Sequence, residues 1–225
     1  VIGLIRLTGE AQAAATNVIT VTTTGDVVAD DGQCSLREAI TAANSDTASG
    51  ASGGECAAGS GADAIALPAG TYTLALAGSN ENSNASGDLD ITGELNINGA
   101  GSATTIVDAN DLDRVFQVIG NIPVTLNGLT AQNGDAGSGD GGGIFAAAIT
   151  LVDVRIRNNT TTGRGAGLSV VNGAVITGSL FEGNTTTNYG GGVYNFSGGE
   201  VHITNTQLIS NTAGDGGGLM FDGGT

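Results

Sequence analysis

Residues 122–225 divide into four segments that align on one another: IPVTLNGLTAQNGDAGSGDGGGIFAAA (122–148), ITLVDVRIRNNTTTGRGAGLSVVNGA (149–174), VITGSLFEGNTTTNYGGGVYNFSGGE (175–200) and VHITNTQLISNTAGDGGGLMFDGGT (201–225). A triplet of small residues begins at Gly141, Gly165, Gly190 and Gly216, giving intervals of 24, 25 and 26 residues. An Asn that closes a short apolar run recurs at Asn159, Asn184 and Asn211. An apolar residue follows each triplet at one offset, as Ile144, Leu168, Val193 and Leu219, which a flexible glycine linker would have no reason to keep. A drifting period of this size fits a solenoid, whose turns vary in length while its strands hold register.

Inside each segment the apolar runs are three or four residues long and nearly alternating, too short for helices. Leu151, Val154 and Ile156, then Ile176 and Phe181, then Ile203 and Leu208, would line one interior, with Thr, Asn, Asp and Arg outward. One coil cannot bury its own apolar face, but a stack can. The reading is all-β: a right-handed parallel β-helix. The glycine triplets are expected at coil corners, where positive φ and close backbone approach are needed. The recurrent Asn is expected at a turn, its amide bonding backbone or the Asn one coil above. Less regular strands precede this array at 88–91, 95–97, 105–107 and 115–118, with a polar excursion at 78–87 (GSNENSNASG) read as an exposed loop.

Composition agrees with a narrow, stacked core. There are 40 Gly and 2 Pro among 225 residues, no Trp, and 4% aromatic residues, too few to fill a broad globular interior. A content of 40% hydrophobic residues is too rich for disorder. The 22 acidic side chains against 6 Arg and no Lys give a net charge of −16, which repels phosphate backbones and anionic headgroups and excludes a nucleic-acid partner. No run of about 18 apolar residues is present to span a membrane.

An open solenoid end needs a cap. Ser35-Leu36-Arg37-Glu38 has the S-x-x-E form of a capping box, Ser35 and Glu38 satisfying each other's amides. Leu36, Ala39, Ile40 and Ala43 then fall on one face of a short helix ended by Asn44, Ser45 and Asp46. Cys34 and Cys56 flank a glycine-rich loop; they are two thiols in a reducing compartment, or one structural disulfide in an exported protein. Residues 1–16 (VIGLIRLTGEAQAAAT) end in small residues suited to signal cleavage, but Arg6 and Glu10 interrupt the apolar run, so they read as the remnant of a signal peptide. The expected organisation is a signal remnant at 1–16, a cap region at 17–76, and coils at 77–225 that continue past Thr225.

Residues 34–40 (CSLREAI), followed by Ala42-Ala43-Asn44, resemble without a break the signature of the CSLREA-domain proteins, exported bacterial proteins with right-handed parallel β-helix repeats of the pectin-lyase-like kind. The stretches 62–65, 67–72 and 95–101 and the repeats GGGVYNFSGG and ISNTAGDGGG are similar to the same family, so that the resemblance covers 17–225. It implies a secreted or cell-surface location and says little about a reaction, because the family is defined by a sequence feature.

β-Helices also carry polysaccharide lyases and hydrolases, which work with paired Asp or with Ca²⁺ and an Arg base. The candidates are Asp88 with Asp90, Asp111 with Asp113 and Arg114, and Arg155 with Arg157. Alternation places Asp88 and Asp90 on one outward face, where charged residues of an exposed strand need no catalytic reason. The motif combinations of pectin-degrading hydrolases are missing, and Arg155-Ile156-Arg157 echoes one of them only superficially. His202 has no neighbouring ligand. Asp135, Asp140 and Asp215 lie beside glycine runs without the GGxGxDxUx order, leaving weak Ca²⁺ binding as the one cation chemistry open. The Thr triplets at 160–162 and 185–187 form too short an array for ordering water and read as outward turns. No residue is assigned a catalytic, cofactor-binding or metal-binding role. The functional expectation is an exported scaffold for surface carbohydrate or protein ligands, with a polysaccharide-active enzyme as the alternative.

Overall fold

The computed structural model describes residues 17–79, 81–196 and 198–222. The signal remnant read at 1–16 and the last three residues lie outside the described residues.

The chain winds as a parallel β-solenoid with three walls. The first wall stacks Asn17–Thr20, Asp63–Leu67, Leu95–Gly99, Val124–Asn127, the second half of Ile144–Val152, the second half of Leu168–Thr177, and Glu200–Thr204. The second stacks Gly70–Thr73, Thr105–Asp108, Thr130–Gln132, Arg155–Arg157, Leu180–Glu182 and Gln207–Ile209. The third stacks Leu89–Ile91, Phe116–Val118, the first halves of the two long strands, Val193–Asn195 and Leu219–Phe221. Every one of these pairings is parallel.

Register turns the alternation of the sequence into columns. Ile19, Ile65, Ile97, Leu126, Leu151, Ile176 and Ile203 sit above one another inside the first wall. Tyr72, Val107, Ala131, Ile156, Phe181 and Leu208 do so in the second, and Leu89, Phe116, Ile144, Leu168, Val193 and Leu219 in the third. All are buried except Ile203, Leu208 and Leu219 in the last coil. Three columns one side chain thick explain why so few aromatic residues suffice.

The triplets sit where expected, at the corner entering the third wall. Gly141, Gly165, Gly190 and Gly216 have φ between +65° and +74°, the left-handed region that a β-carbon disfavours. Gly167 serves close approach instead: a Cβ there would lie 2.5 Å from the Gly192 carbonyl oxygen of the next coil. The Asn positions form a ladder that is buried at Asn159 and Asn184 and partly exposed at Asn211. Asn159 Nδ2 donates to Asn184 Oδ1 at 2.9 Å, and Asn184 Nδ2 donates to Asn211 Oδ1 at 2.9 Å. The Thr triplets differ from the expected outward turn. Their central members, Thr161 and Thr186, are buried: Thr161 Oγ1 donates to the Gly137 carbonyl at 3.2 Å and Thr186 Oγ1 donates to the Gly163 carbonyl of the preceding coil.

Helix α1 (Leu36–Ser45) begins with the full capping box of Ser35 and Glu38 and buries Leu36, Ala39, Ile40 and Ala43 in the core. It also closes a strand edge. Leu89–Ile91 pairs with Phe116–Val118 on one side only. On the other side Asn44 Nδ2 donates to the Asp90 carbonyl at 2.8 Å and Asn44 Oδ1 accepts from Thr92 N at 2.8 Å. Arg37 donates to the carbonyls of Asp88 at 3.0 Å and Gly87 at 2.9 Å. Unpaired edge groups are thereby satisfied by side chains of the cap.

Cys34 and Cys56 form a disulfide that ties the start of α1 to the loop following it. With a sequence separation of 22, the bond restricts the unfolded chain by roughly 3 kcal/mol. Reduction, or Cys56→Ser, is therefore expected to lower unfolding free energy by that order. Urea titrations of the oxidised and reduced protein check this, and coincident curves would refute it.

Candidate functional site: carboxylates on the third wall

The outer face of the third wall runs from Asp90 through Gln117, Phe145, Ser169 and Tyr194 to Met220, one residue per coil. The upper part is clad by arginine and aromatic side chains. The Arg164 guanidinium lies 5.5 Å from the Tyr194 ring centroid and 5.0 Å from that of Phe196. Arg114 lies 5.9 Å from the Phe145 ring and donates through Nε to the Asp140 carbonyl at 2.8 Å. Such stacks hold long side chains flat on a sheet.

At the lower end the wall carries acid. Asp88 and Asp90 leave the strand on its outer face, as alternation requires, yet they are only 1% and 0% exposed. The expectation of solvent-facing carboxylates is corrected here: residues 81–87 fold back across them, and Asn84 is buried against Asp90. Alternation fixes the face, and the fold of the segment just before the strand decides whether that face meets water. The pair at Asp111 and Asp113 splits, Asp111 being exposed and Asp113 buried beside Asp88. Arg114 Nη1 stands 3.5 Å from both Asp88 Oδ2 and Asp113 Oδ1. Asp88 Oδ2 and Asp90 Oδ1 have no hydrogen-bond partner. A polar cleft lined by Asp111, Asp113, Arg114 and Asp135 opens alongside.

Burial dominates the electrostatics. It pushes the Asp88 carboxyl up to about 7, with the charges of Asp113 and Asp90 adding to it and Arg114 only partly opposing. Burial also pushes Asp90 up to about 6; the Asn84 amide opposes this, and Glu81 and Asp113 reinforce it. Asp26 shows the opposite outcome. Burial would raise it, but Arg37 and the amides of Ala75 and Leu76 together hold it below the ordinary carboxylate range.

A carboxyl raised in the folded state binds its proton more tightly there than in the unfolded chain. Its stabilising contribution is complete below about pH 4 and is lost as pH rises through about 7. Asp88→Asn removes that loss. It is expected to raise stability at pH 8 by roughly 2 kcal/mol and to leave it nearly unchanged at pH 4. Thermal unfolding at the two pH values measures this, and equal shifts at both would refute the assignment.

The remaining sequence candidates do not join this group. Arg155 is exposed on the second wall, and Arg157 donates to Gln132 Oε1 at 2.8 Å. His202 projects from the first wall, 3.1 Å from Glu200. Asp135 accepts from Gly137 N at 2.9 Å and Asp140 from Arg164 N at 2.7 Å. Asp215 pairs with Tyr189 in an isolated bridge. Among the described residues no set of three or more His, Cys, Asp or Glu side chains is placed to hold a metal ion. Sequence reasoning missed Asp26, Arg37 and Asn84 as a working group, since their partners lie about 10 to 50 positions away.

Among protein-family models, that of the Chlamydia polymorphic membrane protein (Chlamydia_PMP) repeat matches residues 178–195. The matched span holds the Leu180–Glu182 strand, Asn184 of the ladder, the Gly190 triplet and the Val193–Asn195 strand. No curated protein and no solved structure matches the chain.

Proposed function

We propose that this chain is a non-catalytic, exported β-solenoid scaffold, displayed at the cell surface or released from it, whose walls serve adhesion or interaction with carbohydrate or protein ligands. The observation that carries the reading is the match of a polymorphic membrane protein repeat to one strand–Asn–glycine–strand unit of the coil. The resemblance of residues 34–44 to CSLREA-domain proteins supports export, and so does a disulfide, which persists in oxidising compartments. On this reading residues 1–16 are the remnant of an export signal, 17–76 the cap region and 77–225 the coils. The net charge of −16 keeps a strand-rich surface soluble.

Labelling intact cells that make the full-length protein, together with their medium, with a membrane-impermeant carboxyl reagent tests the location. Modification without lysis is the expected outcome, and protection until lysis would remove the reading.

A polysaccharide-active enzyme is the second reading. It is favoured by the convergence of Asp88, Asp90 and Asp113 with Arg114 beside a polar cleft. Depolymerisation of a polysaccharide that disappears in a folded Asp88→Asn variant would establish it over the scaffold.

A further inference from the structure

The segment 81–87 behaves structurally as a cover. The Glu81 carboxylate gathers the amides of Ser83 at 2.8 Å, Ala85 at 2.8 Å and Ser86 at 2.9 Å, making the segment one unit. Asn84 supplies most of the bonds that pin that unit to the solenoid, with Arg37 on the Gly87 carbonyl and Gly87 N on the Leu76 carbonyl holding its end. Asn84 N donates to Asp90 Oδ2 at 3.0 Å, Asn84 Oδ1 accepts from Asp90 N at 3.2 Å, and Asn84 Nδ2 donates to the Arg37 carbonyl at 2.8 Å and to Thr41 Oγ1 at 2.9 Å.

Four carboxylates meet beneath and beside the cover. Asp88 and Asp90 come from the strand, Asp113 from the turn before Phe116–Val118, and Glu81 from the cover itself. Two guanidinium groups face them. Arg37, from α1, is committed to Asp26 at 2.7 Å, and Arg114 is shared between Asp88 and Asp113. The neighbouring strand contributes only the uncharged Gln117, which donates to Asn82 Oδ1 at 2.9 Å. One shared cation cannot compensate full ionisation in a buried site where Asp90 Oδ1 has no hydrogen-bond partner and Asp88 Oδ2 meets only Arg114, at 3.5 Å.

We propose that residues 81–87 form a pH-gated lid: protonated Asp88 and Asp90 let it close on the third wall, and ionisation of both opens it toward the cleft of Asp111, Asp113, Arg114 and Asp135. The direction follows from proton linkage, because the closed form holds protons that the open, hydrated form releases. With Asp90 raised to about 6 and Asp88 to about 7, closure is favoured in mild acid and weakens as pH rises through neutrality. The Asn84 amide favours ionised Asp90, and burial outweighs it. The device stands whether the wall serves as a scaffold or as a catalyst.

Amide exchange of Asn84 and Asp90, whose two backbone N–H bonds are among those that opening breaks, tests the lid at pH 5.5 and pH 8 after correction for intrinsic rates. Protection of both is expected to fall by about tenfold or more at the higher pH, while amides of the Asn159 and Asn184 coils hold theirs. In Asp88→Asn and Asp90→Asn together, where Asn retains an acceptor for the Asn84 amide, protection at pH 8 should match that at pH 5.5. Equal protection of the native protein at both pH values overturns the proposal, as does an unchanged pH response in the double variant. Should that variant not fold, side-chain carboxyl NMR of the native protein decides. Titration of Asp88 and Asp90 in step with loss of lid protection supports the lid, and titration near pH 4 overturns it.

Discussion

Arg37→Met is expected to destabilise the protein by about 3–5 kcal/mol, the range for removing one partner of a buried ion pair. The Arg37 side chain is fully buried, and it donates to both oxygens of Asp26 at 2.7 and 3.1 Å. Its loss would strand a carboxylate that also anchors the amides of Ala75 and Leu76, and would uncover the carbonyls of Gly87 and Asp88. Three separate segments would lose their common partner. Arg37→Met combined with Asp26→Asn should recover part of the loss, because the uncompensated charge is then gone. Urea unfolding of the single and double variants measures both effects, and a loss under about 1 kcal/mol for Arg37→Met would show that water replaces the guanidinium without penalty.

The second large effect is expected at the middle of the asparagine ladder. Asn184 Oδ1 accepts from Asn159 N at 3.1 Å and from Asn159 Nδ2 at 2.9 Å, while its own Nδ2 donates to the Ile156 carbonyl at 2.9 Å and to Asn211 Oδ1. Asn184→Ala leaves the buried Asn159 N–H without its acceptor, leaves Asn159 Nδ2 only the Ala131 carbonyl at 3.4 Å, and takes a donor from the Ile156 carbonyl, each loss costing up to about 1–3 kcal/mol. The expected loss is about 3 kcal/mol or more. Asn211→Ala, at a half-exposed rung where water can substitute, should cost about 1 kcal/mol. Equal losses at the two positions would contradict a cooperative ladder.

The coil architecture was legible because its determinants repeat. A glycine that must adopt positive φ, an Asn that must bond its copy, and an apolar residue that must stack on its copy each recur at the spacing of a turn. The capping helix was legible for the same local reason, since Ser35 and Glu38 are three positions apart and act on each other. What stayed hidden is non-repeating and long-range. Asp88 and Asp90 point outward as alternation requires, and their strand pattern does not announce that the polar loop before it docks through Asn84 onto helix α1, some 47 residues away, and shuts them from water. Arg37 stands in the capping signature, but its role depends on Asp26 and on an edge strand some 50 residues away. The Thr triplets were read as one outward class, whereas a single residue in each turns inward to meet a carbonyl of the preceding coil. A repeat identifies equivalent positions without saying which way each one faces.

The walls and the ladder rest on coil register, and one cross-linking measurement tests it directly. Thr160 and Thr185 are paired on adjacent coils, and both are exposed. Adjacent strands lie about 4.8 Å apart, within disulfide reach. Thr160→Cys with Thr185→Cys, in a protein whose own cysteines are already joined, should close an intramolecular disulfide under mild oxidation. Thr160→Cys with Thr186→Cys should not, because a shift of one residue turns the second side chain inward. Absence of the first cross-link, or faster closure of the second, would contradict the register on which this account is built.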